Sequence, residues 1–354
     1  VKAGRVLAAV GPLVGVLVAS VLVILVAKAN PMAALGALVQ GSFGSVQSVA
    51  ETFAQSTVLL FAALGVAVAF RAGLFNIGAE GQLVVGALCA AVAGAALHLP
   101  KALEVPICFA AGALGGAVFG LLAGWLKARF GASEVITTIM LNYVAYLGAN
   151  YLVAGPLRGS VSAPETAQIV PAAMLHPIVP LTRLTAAFPF AIVVAACVWW
   201  WLGRTIAGYE LRILGRSERA ARYAGIHVPA VIMRTMALSG ALAGLGGASD
   251  VLGMLHRFNA ELSPGYGFTA IAAALLAGSN PLLAIITSVF FGALQNGALS
   301  MQAIAGVPKD LISVIVGLVI VYVAINRFGM RAALHGPPSD DLVTRDEPLA
   351  EATT

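Results

Sequence analysis

Charge is what this sequence has least of. Asp, Glu, Lys and Arg together make up only 10% of its 354 residues, too few to give a water-facing globule its usual coat of mixed charge. Cysteine is scarcer still. Cys89, Cys108 and Cys197 all fall inside apolar runs without metal-ligand spacing, which argues against a disulfide framework or zinc site and leaves them as small apolar packing residues. The five histidines, His98, His176, His227, His256 and His335, form no H-E-x-x-H pair, and none of the five lysines stands in G-x-x-x-x-G-K-[ST]. A membrane-embedded enzyme is therefore disfavoured, no catalytic or metal-ligating residue is assigned, and any ATP chemistry has to come from another chain.

What the chain does contain is apolar length. It is 60% hydrophobic, with 39 glycines and 17 prolines, a mixture that suits helices packed closely in lipid, although a soluble α/β enzyme would tolerate the same glycine count. Hydropathy decides. Charge-poor runs fall at roughly 6–27, 54–70, 82–99, 105–126, 135–154, 186–203, 231–252, 267–279, 281–300 and 311–326, each a candidate membrane segment. The expected fold is an all-α polytopic membrane protein of about ten transmembrane segments, with broken helices and a possible internal repeat. Val6–Ala27 has no charge over its whole length; it is too long for a signal-peptide core and reads as a retained first helix. The eighth run reaches only ~20 Å, which predicts a half-helix or re-entrant segment.

With a cytoplasmic N-terminus, 14 of the 20 basic residues fall on the inner side and 6 on the outer, which predicts both termini in the cytoplasm. The net charge of +5 then reflects topology rather than nucleic-acid binding. Residues 28–53 and 155–185 are the long outer stretches, a possible docking face for a soluble partner. Residues 1–331 read as one transmembrane domain, and 332–354 as a polar, disordered cytoplasmic tail.

Three segments carry functional signals. In Arg71-Ala-Gly-Leu-Phe-Asn-Ile-Gly-Ala-Glu-Gly-Gln82, three glycines and the polar Asn76, Glu80 and Gln82 interrupt two apolar helices. This is either a helix break lining a cavity, where the three side chains meet a polar solute or a moving helix, or an ordinary cytoplasmic turn. Along the fifth run Glu134, Thr138, Asn142, Tyr146 and Asn150 recur every fourth residue, a slanting stripe that either faces a solute or holds the bundle together. Residues 208–226 alternate charge with apolar positions, so that Leu211, Ile213, Leu214, Ala220, Ala221 and Tyr223 require a surface to pack on, while the arginines suit a protein partner or anionic lipid. A second interruption, Ala277-Gly-Ser-Asn-Pro281, resembles the first and motivates the repeat. Asp250 and Asp310 are candidate proton carriers or interface caps.

At these residues the sequence resembles the permeases of the ABC importer superfamily serving branched-chain amino acids, simple sugars such as ribose, and nucleosides. Gly73-Leu-Phe-Asn-Ile-Gly-Ala-Glu-Gly-Gln82, Glu134-Val-Ile-Thr-Thr-Ile-Met-Leu-Asn142 and Ala220-Ala-Arg-Tyr-Ala-Gly-Ile226 are similar to the nucleoside branch. The resemblance, which covers most of the chain, implies a multi-pass protein of the bacterial inner membrane that imports nucleosides by alternating access. Its implied partners are a second homologous permease, cytoplasmic ATP-binding-cassette ATPases that bind the ATP, an extracytoplasmic substrate-binding protein and membrane lipid, with no nucleic acid and no cofactor in this chain. By the same analogy Asn76, Glu80, Gln82, Thr138, Asn142 and Tyr146 lie on the substrate path. Glu210, Leu211, Arg212, Leu214, Arg216, Ala221 and Tyr223 would couple to the ATPase. A simple sugar or another riboside stays open as the solute, and an ion-coupled secondary transporter as the rival mechanism.

Overall fold

The computed structural model describes residues 30–159, 163–259 and 262–306, with Val314 and Gly317 beyond them. The first and tenth candidate segments, Asp310 and the 332–354 tail therefore lie outside the described residues. Among those described, the chain is helical, and its β pairing is confined to the isolated bridges Glu165–Asn259 and Pro177–Thr185.

Seven helices are long and apolar enough to cross a membrane. They are α2 (Val46–Arg71), α3 (Ala79–Ala96), α4 (Lys101–Phe130), α5 (Glu134–Ala154), α6 (Ala187–Arg204), α9 (Val228–Asp250, continued by a π turn over Val251–Leu255) and α11 (Pro281–Ala305). These match seven of the ten runs. The eighth run is the short helix α10 (Tyr266–Leu276), whose 11 residues extend only ~16 Å and cannot cross a hydrocarbon core of about 30 Å. Its ends are set by backbone geometry: Gly265 lies in the left-handed region before it, and Gly278 and Ser279 follow with φ of +61° and +58°. The other short helices are α1 (Pro31–Phe43), ahead of α2, and α7 (Ile206–Leu214) and α8 (Glu218–Tyr223) in the basic segment.

Local chemistry starts these helices. Asn30 accepts from Met32 N and Ala33 N at the head of α1, Ser45 from Ser48 N at α2, and Asn280 from Leu282 N at α11; Pro31 and Pro281 open α1 and α11, where their missing N–H would have no helical partner anyway. Burial follows composition. Helix α2 is apolar on every side from Val58 to Ala69 and all of those residues are buried, as expected of a helix without a polar face. Helices α4 and α5 instead leave Leu114, Val118, Trp125, Tyr143 and Leu147 exposed.

The closest packing joins α4 to α9. A methyl group on Gly116 would overlap the carbonyl oxygen of Gly240 and one on Gly240 that of Gly116; one turn along, a methyl on Gly244 would overlap the carbonyl oxygen of Gly112, and one on Gly112 would overlap Ala248 Cβ. Small residues four apart let two backbones approach this closely, and in lipid such contact, rather than water exclusion, holds helices together. The 155–185 stretch is pinned down as well. Thr166 N donates to Phe258 O (2.9 Å), Ile169 N to His256 O (3.0 Å) and Leu175 N to Leu252 O (2.8 Å), while Glu165 pairs with Arg257. One side of this loop is thus committed to residues 252–258, which limits any docking face to its other side.

Candidate functional site

The α2–α3 connection is where the polar residues gather. Helix α2 closes as Gly73 turns with φ of +75°, donating to Phe70 O while Leu74 N donates to Ala69 O, a left-handed stop that satisfies the last carbonyls. Asn76 then launches α3 by accepting from Gly78 N (2.9 Å). One side of the connection is packed inside protein, with Ala72, Leu74, Asn76 and Gly78 buried, while Gly73 and Phe75 on the other side are exposed.

Asn76 is fully engaged. Its amide nitrogen donates to Gln82 Oε1 (2.9 Å) and Ser239 Oγ (2.8 Å), and its oxygen accepts from Gly78 N and from Gln82 Nε2 (3.2 Å). Both donors and both acceptor positions of the side chain are in use. Ser239 passes the link onward by donating to Gly65 O (2.6 Å), so one chain of hydrogen bonds joins α9, α2 and the connection. From α5, Asn142 accepts from Gly81 N (2.9 Å) and donates to Ile77 O (3.0 Å). Thr138 is buried beside Gly78, with its hydroxyl donating to Glu134 O (2.6 Å), and Glu134 forms an ion pair with Lys127 across the α4–α5 turn (2.8 Å). Asn150 is exposed; four steps of four residues rotate it ~160° from Glu134, off the inward face.

Glu80 lies at the centre. It is fully buried in the first turn of α3, and its two carboxyl oxygens accept from different elements: Oε1 from the Tyr146 hydroxyl and Oε2 from Gly267 N at the start of α10, both at 2.5 Å. Ser263 Oγ accepts from Tyr266 N (3.0 Å) and Gly265 N (3.3 Å). The six candidates Asn76, Glu80, Gln82, Thr138, Asn142 and Tyr146 are therefore brought together in one node, buried except for the half-buried Tyr146. In this conformation their hydrogen bonds go to protein groups.

The basic segment meets the same connection from below. A methyl group on Gly215, between α7 and α8, would overlap the carbonyl oxygen of Arg71, and one on Gly73 would lie 3.2 Å from Gly215 Cα. Arg71 Nε also donates to Ser279 O (2.8 Å), so the two glycine interruptions seen in the sequence touch in space. The coupling candidates divide here. Leu211, Leu214 and Ala221 are buried within the chain's own core, where they cannot touch a partner. Glu210 and Arg212 are half-buried, and Arg216 is exposed with Tyr223, which is 93% exposed. Ala220 is exposed too, whereas Asp250 is buried at the end of α9.

Sequence reasoning missed Ser239, Ser263, Gly215 and Gly267. A lone hydroxyl among the apolar residues from Met236 to Ala248 would have flagged Ser239; the glycines matter only through the backbones they approach, which periodicity does not reveal.

Residues 48–324 match the family described as branched-chain amino acid transport system / permease component. The guanosine ABC transporter permease protein NupP of Bacillus subtilis is 36% identical over 314 residues, covering 87% of this chain and 90% of that one. The glucose ABC transporter permease protein TsgB13 of Haloferax volcanii is 34% identical, covering 85% and 82%. The nucleoside ABC transporter permease protein NupB of Lactococcus lactis subsp. cremoris is 29% identical, covering 84% of each.

Proposed function

The chain belongs to the permease component family of branched-chain amino acid transport systems, and from that premise we propose that it forms the passage of an ATP-driven importer for nucleosides. Family membership favours an ABC importer permease over an ion-coupled carrier. Nucleosides are favoured as solute because relatives named for guanosine and nucleosides align over most of this chain. A simple sugar is the second reading, carried by the relative named for glucose.

The observation that carries the mechanism is the seat of Gly215 on the Arg71–Gly73 turn, which leads within a few residues to Asn76 and Glu80. In this reading a partner ATPase grips the exposed side of α7 and α8 through Tyr209, Arg216 and Tyr223. Closure of the ATPases pushes the Gly215 turn against the connection, and the polar node rearranges between two states. The exposed apolar faces of α4 and α5 meet lipid or a second permease, and a binding protein delivers the solute from outside. We place about ten spans in the bacterial inner membrane with both termini cytoplasmic.

The test is uptake of labelled uridine, adenosine, ribose, glucose and leucine by cells with this chain deleted and its neighbours intact. Loss of uridine and adenosine uptake alone supports the nucleoside reading, and loss of sugar uptake alone replaces it with the second. Coupling is tested with Arg216→Ala and Tyr223→Ala, expected to cut uptake while membrane accumulation holds. Leu211→Ala is unsuitable, because truncating a fully buried leucine costs about 2–5 kcal/mol of stability and confuses folding with docking.

A further inference from the structure

Two helix N-termini face each other at Glu80. Helix α3 begins at Ala79, one residue before it, and α10 begins at Tyr266, one residue before the Gly267 N–H that Glu80 accepts. Helix starts carry partial positive charge and unpaired N–H groups, and half-helices inside membrane transporters use such ends to hold the anionic group of a solute. Here the position is filled from within. The two helix starts meet at backbone distance: a methyl group on Gly267 would overlap the Glu80 backbone. Tyr146 holds the second carboxyl oxygen, Ser263 takes the neighbouring N–H groups of α10, and Asn142 takes that of Gly81 on α3.

We propose that Glu80 is a built-in anion that positions the half-helix α10 and closes its N-terminus to a solute carboxylate, while Asn142 holds the Gly81 N–H of α3, restricting the passage to uncharged solutes. This rests on the nucleoside-importer reading and narrows it to a physical reason: a nucleoside or sugar asks for no anion site, whereas an amino acid would compete for the position Glu80 already holds. Glu80 is a positioning residue in this scheme, acting through α10.

The assembled transporter carrying Glu80→Ala is compared with wild type for uridine uptake in vesicles and for Tm after purification, with sodium formate or the uncharged formamide added. The variant is expected to lose about tenfold or more of its uptake. Formate, a free carboxylate small enough for the vacated position, is expected to restore uptake and raise the variant's Tm, while formamide does neither and wild type does not respond. A variant with wild-type uptake, a Tm indifferent to formate, or a wild type that formate also stabilises would overturn the proposal. Glu80→Gln keeps side-chain volume and both hydrogen bonds if the Tyr146 hydroxyl reverses, so it isolates charge and remains informative if the alanine variant does not accumulate. Its uptake is expected to fall about threefold or more, and unchanged uptake overturns the proposal. If wild type moves a sugar instead of uridine, the solute assignment fails alone, because the formate response of the Tm still decides the role of Glu80.

Discussion

The α4–α9 seam and the Glu80 node are both packed between helices, yet they are held together by opposite means. At the seam Gly112, Gly116, Gly240 and Gly244 bring two backbones together with no polar side chain between them. At the node Asn76, Glu80, Asn142 and Tyr146 fill the space between helices with hydrogen bonds to backbone and to one another. The contrast separates shape from chemistry: the seam tolerates no added volume, and the node tolerates no lost donor or acceptor.

The largest expected effect comes from adding volume to the seam. Gly240→Val puts a branched Cβ against the Gly116 carbonyl oxygen and should cost about 3 kcal/mol or more, seen as lost membrane accumulation or a sharply lowered Tm. A variant that accumulates normally would show the seam to be looser than its geometry. Next comes chemistry at the node. Asn142→Leu keeps side-chain size but strands Gly81 N–H and Ile77 C=O, an expected loss of about 2 kcal/mol in thermal unfolding, with uptake falling further than stability if the node is the moving joint. Lys127→Met breaks an ion pair with Glu134 that is partly open to solvent; the Tm should change by less than the equivalent of about 1 kcal/mol. The smallest effect has the opposite sign. Gly148 on α5 has nothing within reach of an added methyl group, so Gly148→Ala should stabilise by about 0.5 kcal/mol, and a loss instead would place an unseen partner against that face.

Much of this organisation was legible in the residues. Seven apolar runs became seven long helices, and the short run became a half-helix, because hydropathy and length are local properties. Polar residues at Asn76, Glu80, Gln82, Asn142 and Tyr146 stood out because lipid cannot satisfy them. The apolar positions of 208–226 were seen to need cover, yet Leu211, Leu214 and Ala221 found it within this chain and Tyr223 did not. Nothing in an amphipathic pattern says whose surface provides the cover.

The sequence by itself determined that this chain lives in lipid, where its helices run and which side chains must turn inward, since each follows from the solvation of one segment at a time. Only the tertiary structure decided which groups they meet. Gly267 is 187 residues from Glu80 and the Gly215 turn belongs to a different stretch from Arg71, so their contacts arise from helices packed at backbone distance, a geometry set by three dimensions of mutual fit and not by any local pattern of residues.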